Sequence, residues 1–155
     1  EWESENHALF DVLERMLRHI STARRLDAAL RAYELEALAA LGYRPQLDSC
    51  VACGRAAAAE NNGFSSTAGG VLCPLCRGRE GDQHDISPAT LATLRHLQAG
   101  GLAAADRLEM AGAVRTQSEA LLAVYISDRL EYSLNSINVL RALRQQIAIL
   151  ESPGG

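Results

Sequence analysis

The chain has 155 residues, enough for one compact domain, and 48% of them are hydrophobic while only 5% are aromatic. Its core must therefore come from Leu, Ala, Val and Ile, and the wealth of Ala and Leu makes helix the default. The net charge of −4 excludes a uniformly basic nucleic-acid-binding surface, though not a local basic patch; all 15 basic residues are arginine.

Residues 1–20 are expected to form a helix. Leu9, Val12, Leu13, Met16, Leu17 and Ile20 recur at helical spacing on one face. Glu1, Glu3 and Glu5 suit its amino end, and Arg15, Arg18 and His19 its carboxyl end. A second helix is expected from Ser21 to Leu41, with Leu26, Leu30, Tyr33, Leu38 and Leu41 inward, stopped by Gly42 and Pro45. The two should pack as an antiparallel pair.

Residues 45–81 differ in texture: glycines and all four cysteines crowd together and no helical stripe survives. Phe64–Ser66 and Val71–Cys73 read as short strands turned by Thr67-Ala68-Gly69-Gly70. Helix resumes at Pro88 behind a Ser87 cap, carries Leu91, Leu94 and Leu97, and is expected to end at Gly100-Gly101. A longer helix should cover about 107–132, with Val114, Leu121, Leu122, Tyr125, Ile126 and Leu130 inward. A last helix should carry Ile137, Leu140, Leu143, Ile147 and Leu150. The expected fold is thus an all-α helical domain over 1–155, with a four-cysteine zinc hairpin inserted at 45–81.

The cysteines carry the sharpest signal. Cys50-x2-Cys53 and Cys73-x2-Cys76 have the spacing of a four-cysteine zinc site. Gly54 and Gly78 permit tight knuckles whose N–H groups point at sulfur. Four closed ligands leave no open position for water, so the zinc should be structural. Disulfides, a redox thiol pair and an iron–sulfur site compete less well. Cys73-Pro74 lies in a hairpin rather than at a helix start, and no apolar run or leader points to export. His84 reads as a surface histidine rather than a fifth ligand. Four thiolates and one divalent ion take the net charge to −6.

Arg15, Arg18, Arg24, Arg25 and Arg31 face only Asp27 within their stretch, a local +4. They are candidates for contact with nucleic acid or an acidic partner, against the plainer reading of a solvated helix face. Arg55, Arg77 and Arg79 flank the knuckles, where they offset the charge of a four-thiolate centre. Arg141 and Arg144 sit on the exposed side of the last expected helix. No phosphate loop, His-Glu-x-x-His or Ser/His/Asp set stands out, so no enzyme is expected.

Two stretches carry a resemblance. Leu41-Gly42-Tyr43-Arg44-Pro45-Gln46-Leu47 leads into Cys50-Val51-Ala52-Cys53-Gly54, and Gly69-Gly70-Val71-Leu72 leads into Cys73-Pro74-Leu75-Cys76. With Phe64-Ser65 between them, they resemble the zinc-hairpin region of the bacterial recombination mediator family RecO. The specific core spans about 40–76, and almost the whole chain is similar to the family's carboxy-terminal part. The family's amino-terminal OB-fold domain has no counterpart in this sequence. The resemblance implies a structural Zn2+ and a non-enzymatic role in DNA repair by homologous recombination. It implies binding and annealing of single- and double-stranded DNA, mainly through the missing OB domain. It further implies loading of RecA, with RecR, onto DNA coated by single-strand binding protein. The expected location is the bacterial cytoplasm at the nucleoid, with no membrane contact. The alternative is a zinc-stabilised protein-interaction module with no DNA contact of its own. A redox or metal-using enzyme is a third reading.

Overall fold

A computed structural model of the protein describes residues 2–78 and 81–130, with side chains from residue 7 onward. The order is α1 (Trp2–Ile20), α2 (Leu26–Ala40), β1 (Gly63–Ser65), β2 (Gly70–Leu72), β3 (Gln83–Asp85) and α3 (Pro88–Ala105). A fourth helix, α4, is described over 112–130. The last expected helix, with Ile137 to Leu150, lies outside the described residues, as do Arg79, Arg141 and Arg144. No described helix is long and apolar enough to cross a membrane.

α1 and α2 are joined by a short turn and pack together as expected. The single stripe foreseen on α1 is in fact two rows. Val12 and Met16 are buried, whereas Leu13, Leu17 and Ile20 are 41%, 62% and 43% exposed, and Phe10 on the same side is 63% exposed. Spacing alone cannot separate two adjacent rows on one amphipathic helix.

Ser87 caps α3 as its sequence demands, its Oγ accepting from the Thr90 N–H at 3.1 Å, with Pro88 in the first turn. Gly100-Gly101 kinks the helix rather than ending it. Gly101 takes φ 56° and ψ −146°, and one more helical turn follows to Ala105. At the kink the Leu102 N–H donates to Glu36 Oε1 at 3.3 Å. A Cβ on residue 101 would lie 2.3 Å from that same oxygen. α4 starts at 112, later than expected, because residues 108–111 run as an irregular connection that packs Leu108 and Met110 against the core.

The larger correction concerns fold class: the domain is mostly helical but not all-α. β1 pairs antiparallel with β2 and with β3, giving a three-stranded sheet in the order β2-β1-β3. The hairpin was expected one residue later than it lies. β3 (Gln-His-Asp) was not expected, because three polar residues have no apolar alternation to betray them. The inserted region therefore runs through Asp85, four residues beyond its expected end. His84 sits exposed on β3, opposite Phe64.

The hairpin has two buried faces. Phe64 and Val71, with Leu47 and Ile86, enter the core formed by Leu35 and Leu38 of α2, Leu94 and Leu97 of α3, and Leu122 and Tyr125 of α4. Leu72 points the other way, into a second cluster with Cys50, Cys73 and Cys76. The outer edge of β2 is closed by a parallel bridge from Gln46 to Gly70. The Val71 N–H donates to the Gln46 carbonyl at 2.9 Å and the Gln46 N–H to the Gly69 carbonyl at 3.0 Å. A Cβ on residue 70 would stand 2.2 Å from the Gln46 carbonyl oxygen. Gly70→Ala is accordingly expected to destabilise the chain by about 2–3 kcal/mol, read as a lowered midpoint in urea unfolding followed by circular dichroism.

Candidate metal centre

Two loops deliver the four thiols. The first knuckle follows Leu47 and the second follows β2 directly, so the Leu72 strand end positions Cys73. The four Sγ atoms all lie within 4.8 Å of one another. Cys53 Sγ and Cys73 Sγ are 3.7 Å apart. That is far beyond a disulfide bond. It matches the edge, about 3.8 Å, of a tetrahedron with metal–sulfur bonds of about 2.3 Å. Cys50, Cys73 and Cys76 are buried, and Cys53 is exposed.

Backbone geometry supports anionic sulfur. Burial alone would raise the Cys50 thiol, but the N–H groups of Cys73, Ala52 and Cys53 outweigh it and hold the thiol down to about 6. Burial works the same way on Cys73, and the N–H groups of Cys76 and Leu75 again outweigh it. Cys76 is pushed up to about 12, first by its contact with the Cys53 sulfur and then by burial. Gly54 and Gly78, at φ 73° and 91°, turn the chain out of each knuckle, as foreseen. These are the donors of a closed site that could hold one tetrahedral metal ion; all four positions are filled by the chain itself.

The knuckles are fastened to the helices by groups with no obvious signal in the sequence. The Asp82 carboxylate accepts from the hydroxyls of Ser65 (2.9 Å) and Ser66 (2.8 Å) and from the Thr67 N–H (2.7 Å). Burial would raise its pKa, but these donors, with the Thr67 hydroxyl, hold it well below the usual carboxylate range. From α4, Asp128 meets the Ser66 hydroxyl, and Arg129 donates to the carbonyls of Ser66 and Thr67. Arg129 also lies 4.9 Å from the centre of the Tyr125 ring, which packs edge-on against Phe64 at 5.7 Å. The Tyr125 hydroxyl donates to the Tyr43 carbonyl at 3.0 Å. On the opposite side Arg95 of α3 donates to the Leu47 carbonyl at 2.7 Å. No pattern of spacing announces such links: the Asp82 contacts span 15 to 17 positions, and the hydrogen bonds from α3 and α4 span 48 to 82.

The five candidate arginines do not form one free face. Arg15 pairs with Glu36 at 2.9 Å, Arg18 with Glu14 at 2.6 Å and Arg25 with Glu109 at 3.2 Å. Arg31 is only 8% exposed and pairs with Glu34 at 2.7 Å. Burial raises the Glu34 pKa, partly offset by Arg31. Arg24 is exposed and makes no ion pair among the described residues. The local +4 is thus answered mainly by acids from outside the stretch. Near the knuckles, Arg77 pairs with Asp85, while Arg55 is exposed.

A mostly helical domain with a small sheet that presents four converging thiols defines the class: a helical protein with a treble of short strands bearing a closed cysteine knuckle pair. Residues 2–137 match the family model described as Recombination protein O C terminal. The chain belongs to that family. It is 40% identical over 147 residues to the DNA repair protein RecO of Roseiflexus sp. (strain RS-1), covering 95% of this chain and 52% of that protein. It is 37% identical over 120 residues to the DNA repair protein RecO of Symbiobacterium thermophilum, covering 76% and 47% respectively. For the protein of that name from Anaeromyxobacter dehalogenans (strain 2CP-C) the identity is 36% over 122 residues, covering 79% and 48%. The chain therefore spans about half the length of these relatives. No solved structure matches it.

Two outcomes follow. Cys73→Ser is expected to abolish stoichiometric metal binding. Because Phe64 and Val71 hold the hairpin in the main core without the thiols, the variant should keep most of its helical signal in circular dichroism; complete loss of that signal would show that the knuckles are central to the core. Asp82→Asn is expected to cost about 1–2 kcal/mol at pH 7. The Asp82 pKa is depressed on folding, so its contribution is full above about pH 4 and lost as pH falls toward the folded value. The gap between the two proteins should therefore narrow in denaturant titrations below about pH 4.

Proposed function

We propose that the four cysteines hold one structural Zn2+, and that the chain is the zinc-stabilised helical part of a non-enzymatic recombination mediator acting in bacterial DNA repair. The observation that carries the metal is the convergence of four Sγ atoms within 4.8 Å, with a 3.7 Å edge that fits tetrahedral zinc. Membership of the RecO family carries the biology. In this reading the whole protein binds and anneals single- and double-stranded DNA, chiefly through an OB-fold domain preceding the helical part. With RecR it loads RecA onto DNA coated by single-strand binding protein. Its place is the bacterial cytoplasm, at the nucleoid. The zinc supplies cross-linking and no chemistry, since the chain fills every coordination position.

Within this half, Arg24 is the best placed of the five candidates to meet a phosphate. Arg15, Arg18 and Arg25 hold exposed ion pairs, which contribute about 0–1 kcal/mol each and exchange readily for an external anion. Arg31 is too deep to do so. A second reading, a protein-interaction module with no DNA contact, draws support from that same pairing of four of the five arginines.

Single-stranded DNA titrations of the chain across a salt series separate the two. On the first reading, Arg24→Ala combined with Arg25→Ala weakens binding and lowers the slope of log affinity against log salt by about 1 to 2. An unchanged slope, or no binding by the parent chain, favours the second. Metal analysis of the purified chain should return one zinc per polypeptide.

A further inference from the structure

The four thiols are not equivalent. Cys50, Cys73 and Cys76 are 1%, 4% and 6% exposed, packed with Leu72 and Val51, while Cys53 stands open to solvent. Its sulfur lies 3.7 Å from that of Cys73 on the other knuckle. Of the four cysteines, Cys53 is the exposed residue that a reagent arriving from water meets first, and the Cys73 sulfur lies beside its own.

From this asymmetry we infer that Cys53 is a modification site for peroxides, with Cys73 as its resolving partner, so that oxidation of the centre expels the metal. The inference rests on the zinc reading above. The thiolate of Cys53 attacks one peroxide oxygen; an S–O bond forms, the O–O bond breaks and hydroxide leaves. The Cys73 thiolate then attacks the Cys53 sulfur. The S–S bond forms, the S–O bond breaks and a second hydroxide leaves, both hydroxides taking protons from solvent. Each sulfur gives up one electron and the peroxide takes two. Two of the four ligands are then spent on each other. The remaining pair, Cys50 and Cys76, makes an incomplete set for a metal that prefers four. The sulfurs need to close from 3.7 Å to about 2.05 Å. The new bond would bridge the two knuckles rather than close either one.

The side of the hairpin that faces the helices is untouched by this chemistry. Phe64 and Val71 stay in the main core, and Asp82, Asp128 and Arg129 still hold the turn between the strands. Oxidation therefore loosens the knuckles while a tether to the helices persists, which makes the change reversible by a dithiol with added zinc.

The test uses the intact zinc-loaded chain and hydrogen peroxide. Metal content before oxidation checks the zinc reading by itself; a chain that carries no zinc at that stage fails there, before any peroxide is added. With zinc present, the expected result is one zinc released per chain to a chromogenic chelator and a Cys53–Cys73 bridge found by fragment mass spectrometry. Brief treatment of the unoxidised chain with N-ethylmaleimide should label Cys53 at least about tenfold faster than the other three. Zinc retained under peroxide, a bridge within one knuckle (Cys50–Cys53 or Cys73–Cys76), or equal labelling of all four thiols would each overturn the assignment.

Discussion

Val71 and Leu72 are neighbours in the chain and are buried on opposite sides of the same strand. Val71 enters the core between α2, α3 and α4, and Leu72 backs the cysteine cluster. The rest of the structure depends on that division. A three-residue strand has too little surface to hold itself in place, and a four-thiol cluster has too little core to stand alone. Sharing one hairpin between the two gives each a support it lacks. With zinc as proposed, the metal side contributes on the order of 10 kcal/mol to folding. That is several times more than the burial of Val71 or Phe64, about 1.5–3 kcal/mol each. In that proposal the metal orders the knuckles, and the apolar side decides where on the helices they sit.

The helices and the thiols could be read from the sequence because their signals are local. Leu91, Leu94 and Leu97 repeat at helical spacing behind a Ser-Pro start, and Cys-x2-Cys is a complete unit within four residues. β3 could not be read that way: it is polar, three residues long, and exists because β1 offers an open edge. The kink at Gly101 and the crossing at Gly70 were equally hidden. Each glycine marks a close approach by a distant residue, Glu36 in one case and the Gln46 carbonyl in the other. The split of α1 into a covered and an uncovered row was hidden for the related reason that periodicity reports amphipathicity and not the identity of the neighbour.

Charge shows the same limit in another form. A stretch with five arginines and one aspartate is basic as text. Folding brings Glu36 from α2 and Glu109 from the connection before α4 against it, and adds Glu14 and Glu34 from the helices themselves. Among the described residues, Arg24 at the α1–α2 turn stays exposed without an ion pair, as do Arg44, Arg55 and Arg107. An acidic chain that belongs to a DNA-repair family is less puzzling on this view. Its unpaired exposed cations, among the described residues, come from separate stretches of the chain.

The two-sided hairpin also limits how the chain can change over time. Side chains alternate along a strand with a period of two, so losing or gaining one residue between Gly70 and Leu72 would exchange the environments of Val71 and Leu72. Swaps of one aliphatic residue for another can be absorbed there, but a length change of one cannot. Tolerated length variation in this region should instead gather at the exposed residues 59–61, between the Ser49–Ala56 bridge and the buried Asn62, where no parity has to be kept.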